Sequence, residues 1–387
     1  MTPHLTGWAH TPFGISETDI EDLIARVSRD ALADAGLEAA DVDLISVGVY
    51  NNGFSRQGFE GALVGAGVPE LATVPAQRVE NACATGSAAL YAAMDRIESG
   101  RARVALVVGA EKMSGTPSDV LNDILLTACH RNSEAVHGSF AGIFAELADQ
   151  YAERYGDPHE AMATIAAKNH RNGVANPLAH LRRDLGVDFC STASERNPVV
   201  AGRLLRTDCS MVSDGAAAIV VTSADVAAGA RRAVVVRGRA HAGDHLAIAS
   251  RPDPLAFSGA ATAFRDALEE AGASAADLDL LETHDCFTIA ELLQMEAFGF
   301  AEPGKGAELV LSGATQRNGR IPVNVSGGLK AKGHPLGATG VSQHVMAAMQ
   351  VVGEAGDLQL PRVGLAGVFN MGGAAVANYA TVLEATR

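Results

Sequence analysis

The sequence predicts an α/β protein made of two copies of one unit, with a largely parallel sheet carrying helices on both faces. Three observations lead there. β-rich and helix-rich segments alternate through residues 5–109. The run Arg29–Leu44 aligns with Arg265–Leu280, most positions being identical or similar. Between the two copies, residues 113–206 change character to helical runs joined by polar connections.

In chain order, Leu5–His10 reads as a short strand. Ile20–Ala35 carries apolar residues at helical spacing (Ile20, Leu23, Ile24, Val27, Ala31, Leu32), and Gly36 is a natural stop. Val42–Tyr50 is rich in β formers, and Phe59–Gly65 fits a helix. Then come a strand at Val74–Val79, an Ala-rich helix at Ala88–Ile97 and a strand at Val104–Gly109. In 113–206 the helical runs are Phe140–Tyr155 and Ala161–Arg171, with no clear buried strand. That stretch reads as an inserted helical lid or ligand-binding subdomain. Ser213–Ala218 and Ile219–Thr222 return the chain to the sheet.

Each aligned copy is a helix, a Gly stop, a short turn and the start of a strand. A weaker echo follows. Val323–Gly328, a turn and a helix at Ala338–Val352 mirror the strand, turn and helix around residue 83, and Val363–Phe369 mirrors Val104–Gly109. The expected halves are residues 1–230, containing the insertion, and 231–387. Ligands in such sheets sit beyond the strand C-termini, where turns collect. The turns near Cys83, His284, His334 and Gly372 therefore have a reason to meet.

A formal net charge of −15 argues against a general nucleic-acid binder and against docking on an acidic membrane. No apolar run reaches the roughly 18 residues a bilayer demands. Met1–His10 lacks the basic-then-apolar form of a secretory leader, so none is expected. The five cysteines, Cys83, Cys129, Cys190, Cys209 and Cys286, are odd in number, widely spaced and without a CxxC. A reducing compartment, the cytoplasm, is expected rather than a disulfide framework or structural zinc site. No HExxH, Walker or dinucleotide spacing occurs in a fitting context, so no metal is expected.

Asn81-Ala82-Cys83-Ala84-Thr85-Gly86-Ser87 places a cysteine between a strand and a helix. A helix N-terminus favours negative charge and lowers a thiol pKa, and its free N–H groups can receive an oxyanion. The residues alone equally admit a buried packing cysteine. His284-Asp285-Cys286-Phe287 puts two proton-transfer groups on one turn, which Asp285 can fix by side-chain hydrogen bonds to backbone; a satisfied core histidine is the competing reading. Gly333-His334-Pro335-Leu336-Gly337-Ala338-Thr339-Gly340 sets a histidine before a helix that Pro335 helps start. That imidazole can take a thiol proton or serve an oxyanion. Phe369-Asn370-Met371-Gly372-Gly373-Ala374 is a glycine turn whose N–H groups can complete an oxyanion site, or a plain left-handed turn. Lys168, His170, Arg171, Arg182 and Arg183 form a basic cluster, either a solvated helix face or the place for a phosphate-bearing ligand. Cys129, Cys190 and Cys209 rank below these.

Together these motifs resemble the thiolase superfamily over the whole length of the chain. The Asn81–Ser87 run looks like that family's nucleophile motif, Gly333–Gly340 its catalytic-histidine motif, and Ser213–Ala218 also matches. Two departures resemble the sterol-carrier-protein type of thiolase: His284-Asp285-Cys286-Phe287 where ordinary thiolases carry Asn-Glu-Ala-Phe, and Asn370 where they carry a second catalytic cysteine. The resemblance implies a duplicated fold in α/β/α/β/α layers with a helical loop domain. It implies Cys83 as nucleophile, His334 as its base and Cys286 as the acid/base thiol. It implies one oxyanion site at Cys83 and Gly372 and another at His284 and His334. Lys168, Arg171, Arg182 and Arg183 would meet coenzyme A, which is a substrate, with no tightly bound cofactor. A homodimer or dimer of dimers is implied, and some relatives work with a small OB-fold, zinc-containing partner. A ketoacyl synthase, another acyltransferase or retro-aldolase of the superfamily, and a non-catalytic scaffold subunit are the other functions open.

Overall fold

The computed structural model describes residues 2–386. Eleven strands form among them: β1 (His4–His10), β2 (Leu44–Gly48), β3 (Ala76–Val79), β4 (Val104–Glu111), β5 (Val199–Ala201), β6 (Leu204–Leu205), β7 (Gly215–Thr222), β8 (Val234–Gly243), β9 (Leu280–Glu282), β10 (Leu365–Gly372) and β11 (Ala377–Ala385). The first half carries helices α1 (Ile20–Ala35), α2 (Glu60–Gly67) and α3 (Thr85–Glu98). The insertion carries α4 (Ser118–Leu125), α5 (Arg131–Glu134), α6 (Phe140–Tyr155), α7 (His159–Val174) and α8 (Val187–Ser191), with β5 and β6 as a separate ribbon. After α9 (Ala224–Ala227) the second half adds α10 (Ser258–Ala271), α11 (Thr288–Ala297), α12 (Gly306–Leu311) and α13 (Leu336–Val351).

The main sheet runs β3-β2-β4-β7-β1-β8-β11-β10-β9. The two halves join edge to edge through a short β1–β8 ladder, His4 facing Val235 and Leu5 facing Val234. The expectation of a largely parallel sheet is corrected. Only β2–β3, β2–β4 and β9–β10 pair in parallel. The middle of the sheet is antiparallel: β7 runs against both β4 and β1, and β8 and β11, neither of which the sequence reading had found, add further antiparallel ladders. The short Gly373–Val376 turn between β10 and β11 forces an antiparallel hairpin.

The layers alternate as the duplication implies. One core cluster lies under α1 and α2, and another lies under α10 and α11. A third, between the two halves of the sheet, is built on α3 and α13. Every residue of α13 but Met349 is buried. Glycines let α3 and α13 touch backbone to backbone: a Cβ on Gly340 would lie 2.4 Å from the Ser87 nitrogen. That approach brings the starts of both helices, and hence Cys83 and His334, to one place.

The repeat is written into matching hydrogen bonds. Gly36 and Gly272 end α1 and α10 at φ 68° and 65°. Asp43 accepts the Val104 N–H at 3.1 Å, and Asp279 accepts the Leu365 N–H at 3.0 Å. The weaker echo holds less well. Where β3 pairs with β2, the second half has a single parallel bridge from Val323 to Leu281, not a strand.

Candidate active site

Cys83 stands at the end of a strained elbow. Ala82 adopts φ 49°, a left-handed conformation that costs a residue with a Cβ. The elbow is tied down at both ends: the Asn81 N–H donates to the Thr85 hydroxyl at 2.8 Å, and the Asn81 amide donates to the Tyr379 hydroxyl on β11 at 2.8 Å. The expected lowering of the thiol pKa by the helix start is corrected. Cys83 is 4% exposed, and burial pushes its thiol up to about 12, with the Glu111 and Glu80 carboxylates adding to the shift. A backbone N–H from Gly373 faces the sulfur, yet it does not outweigh the loss of water. The resting group is a neutral thiol.

The His334 imidazole lies beside it. Its ring Nδ1 lies 2.7 Å from the Thr339 hydroxyl, which itself donates to the Pro335 carbonyl at 2.9 Å. Burial, with Lys332 nearby, lowers the His334 pKa to about 3, so the imidazole is neutral. His284 follows β9, and its Nδ1 lies 2.8 Å from the Asn370 amide nitrogen. Burial pulls its pKa well below 6.5 as well. The two rings meet edge to face with centroids 5.0 Å apart. The Cys83 sulfur and one nitrogen from each ring all lie within 4.8 Å of one another. This is the group among the described residues whose donor spacing would suit a metal ion.

Cys286 opens onto the same cavity, of about 280 Å³, together with Cys83 and His334. Burial raises its thiol pKa, and the facing Cys83 adds to that. The rest of the wall is mostly apolar, with Met113, Leu125, Phe140, Met211, Phe287 and Leu336. Asp285 fixes a turn other than its own. It accepts the Leu329 and Lys330 N–H groups at 2.7 and 3.2 Å, in the loop that leads to His334. Burial beside Glu291 holds its carboxyl up, to about 7.

Residues 5–225 match the family model for the thiolase N-terminal domain, and residues 240–385 match the thiolase C-terminal domain-like model. The chain belongs to the thiolase family. It is 35% identical over 373 residues to an acetyl-CoA acetyltransferase of Methanothermobacter thermautotrophicus, covering 95% of each chain. It is 33% identical to human sterol carrier protein 2, covering 94% of this chain and 68% of that one. Among solved structures, the Ltp2-ChsH2(DUF35) aldolase superposes with a TM-score of 0.84 at 20% identity, covering 100% of this chain and 98% of that one, a likeness of fold. At family level this is a thiolase-type acyltransferase.

Not every expected site residue of this thiolase gathers at the cavity. Lys168 is corrected: it is 1% exposed and ion-paired with Glu291, so it is not free for a phosphate. Arg171, Arg182 and Arg183 are exposed and off the cavity wall; Arg171 pairs with Asp184 at 3.3 Å. Arg182 and Arg183 do follow the segment whose His180 and Leu181 N–H groups bond the Lys332 and Ala331 carbonyls, just before His334. Gly372 closes β10, and its neighbour Gly373 is the one whose N–H meets the Cys83 sulfur. Three residues were missed. Thr339 lies inside the histidine motif and Asn370 inside the glycine turn, so their strings were readable though their contacts were not. Glu111 gave no signal: it ends β4 buried, accepting the N–H groups of Tyr50, Asn51 and Gly337 at 2.9–3.0 Å.

Proposed function

We propose that this chain cleaves 3-oxoacyl-CoA with free coenzyme A, or runs the reverse Claisen condensation, through an acyl-Cys83 intermediate. The observation that carries this is one cavity shared by the sulfurs of Cys83 and Cys286 and the ring of His334. The His334 imidazole takes the Cys83 proton. The thiolate attacks the 3-keto carbon, and the oxyanion that forms is held by N–H groups at Cys83 and at the Gly372-Gly373 turn. The bond between C2 and C3 then breaks. The electron pair passes to the thioester of the departing acyl-CoA, whose oxygen accepts hydrogen bonds from His284 and from His334, now protonated. Cys286 gives its proton to C2. Coenzyme A returns a proton to the Cys286 thiolate and attacks the acyl group. Cys83 leaves as a thiolate and recovers its proton from His334. Splitting one hard displacement into two easier ones is the gain of covalent catalysis.

The apolar cavity wall fits the acyl group, and exposed Arg171, Arg182 and Arg183 are the proposed partners for the coenzyme's phosphates. A second chain of the same kind and a small partner protein follow from the family and belong to this proposal too. The deciding experiment is intact-protein mass spectrometry after incubation with acetyl-CoA. An acetyl increment on wild type that vanishes in Cys83→Ala supports the scheme. No increment on wild type, or the same increment in the variant, overturns it.

A further inference from the structure

Asn370 stands where ordinary thiolases carry a second catalytic cysteine, and its side chain is fully buried. Its amide nitrogen lies 3.2 Å from the Cys83 carbonyl oxygen and 2.8 Å from His284 Nδ1. A carbonyl oxygen can only accept, so the atom facing it must be the NH2 end of the amide. An NH2 group has no lone pair to offer a ring N–H. His284 Nδ1 must therefore be bare, and the proton of this neutral ring must sit on Nε2.

His334 is held the other way. Thr339 donates its only hydroxyl proton to the Pro335 carbonyl, so toward His334 Nδ1 it can only accept. That ring carries its proton on Nδ1 and leaves Nε2 bare. In both rings Nε2 is buried without a hydrogen-bond partner among the described residues.

We infer that Asn370 is a positioning residue that locks His284 as its Nε2–H tautomer, so that the site sets one N–H donor beside one bare imidazole nitrogen. Two bare nitrogens would repel an oxyanion. Two N–H groups would leave nothing to take the Cys83 proton. The opposed pair allows both. His334 gains an Nε2–H on deprotonating Cys83, and from then on two donors face the oxygen where charge develops. A further consequence concerns metals: with a proton on His284 Nε2 and a donor on Nδ1, only Cys83 and His334 have lone pairs free. Two ligands are too few for the three- or four-ligand protein sites that hold zinc.

The catalytic consequence rests on the thiolase reading above, but the tautomer does not, so it is read on resting protein without substrate. Nitrogen-15 spectra of histidine-labelled protein, with the His284 signals assigned by their loss in His284→Gln, report which ring nitrogen is protonated. Wild type should show Nε2–H. Asn370→Asp, whose carboxylate accepts from Nδ1, should show Nδ1–H. Asn370→Ala, which frees the ring, should show a mixture and serves if the aspartate variant does not fold. Carbon–carbon cleavage by the aspartate variant should fall in kcat by about 10²–10³, the cost of one oxyanion donor, with KM unchanged. Acetylation of Cys83 by acetyl-CoA, which makes no enolate, should fall less than cleavage does. Nδ1–H in wild type, an unmoved tautomer in both variants, full cleavage despite a moved tautomer, or equal loss of acetylation and cleavage would each overturn the assignment.

Discussion

The Thr339 hydroxyl holds His334: it sits 2.7 Å from the ring Nδ1 and one turn inside the helix that the histidine precedes. Because Thr339 also bonds the Pro335 carbonyl at 2.9 Å, its acceptor lone pairs face the ring. Thr339→Val keeps the shape and removes that acceptor. The ring loses its reason to keep Nε2 bare, and Cys83 loses a ready base. Acetylation of Cys83 by acetyl-CoA, followed by rapid quench and mass spectrometry, should slow by about ten- to a hundredfold, as when an outer hydrogen-bond partner is lost. Thr339→Ser should restore most of it. An unchanged rate in the valine variant would remove Thr339 from the mechanism.

The thiol at position 83 should titrate late. Helix-start cysteines and those beside cations titrate at about 3.5–7.5. Burial instead pushes Cys83 up to about 12. Alkylation of the free protein by iodoacetamide should therefore climb steadily with pH through the neutral range, with no plateau there. A plateau near neutrality, lost in Cys83→Ala, would show that the helix start outweighs burial after all.

Cys286→Ala separates the two thiols. Acetyl-Cys83 should still form, because no carbanion is needed. Exchange of deuterium from solvent into the acetyl methyl of acetyl-CoA should drop by about 10²–10⁴, the usual worth of a general acid–base group. Normal exchange in the variant would reassign the proton transfer to another group.

How much of this was readable depends on whether the information is local. Cys83, His334 and Cys286 each sit in a short string on a turn, and the string carries its own geometry. The repeat was legible for the same reason: a helix, a Gly stop and a strand start recur intact. β8 was not, because Arg237, Arg239 and His241 break its apolar run into a half-exposed strand. β11 is diluted by Ala and Asn, which are poor strand formers. Missing those two strands hid part of the antiparallel middle; the rest was hidden because a strand's sequence does not show its direction, and β7 runs against both β1 and β4. Lys168 misled for a related reason. A sequence displays a charge but not its partner, and Glu291 lies 123 positions away. The role of Asn370 exists only as a contact from β10 to two distant turns, those of Cys83 and His284.

Glu111 should matter more for stability than its position suggests. It gathers the Tyr50, Asn51 and Gly337 N–H groups, tying the end of β4 to the turn below His334. Glu111→Gln turns an N–H toward one of those donors and should cost about 1–3 kcal/mol in urea unfolding. A pH effect accompanies it. Burial raises the carboxyl to about 7 from 4.5, so the folded state binds that proton more tightly than the unfolded chain. Its contribution is then fully present below about 4.5 and is lost as pH rises through about 7. The glutamine variant should flatten that part of the stability curve; an unchanged slope would mean that the three N–H donors already hold the carboxylate ionised.

Lys168 and the exposed arginines should separate cleanly. Lys168→Met leaves the buried Glu291 carboxyl without its cation, hydrogen-bonded by the amides of Asn169 and Asn324 at 2.9 Å each and beside the Asp285 carboxyl. Removing one partner of a buried pair typically costs about 3–5 kcal/mol. Pairing it with Glu291→Gln removes the stranded charge and should recover most of that loss. In whatever fraction folds, KM for acetyl-CoA should stay at the wild-type value. Arg182→Ala with Arg183→Ala should do the reverse: unfolding unchanged, KM for acetyl-CoA raised, and the difference from wild type shrinking as salt screens the phosphates. Should the lysine variant instead keep full stability and lose affinity for the coenzyme, the buried pair would not be what holds this part of the loop domain against the second half.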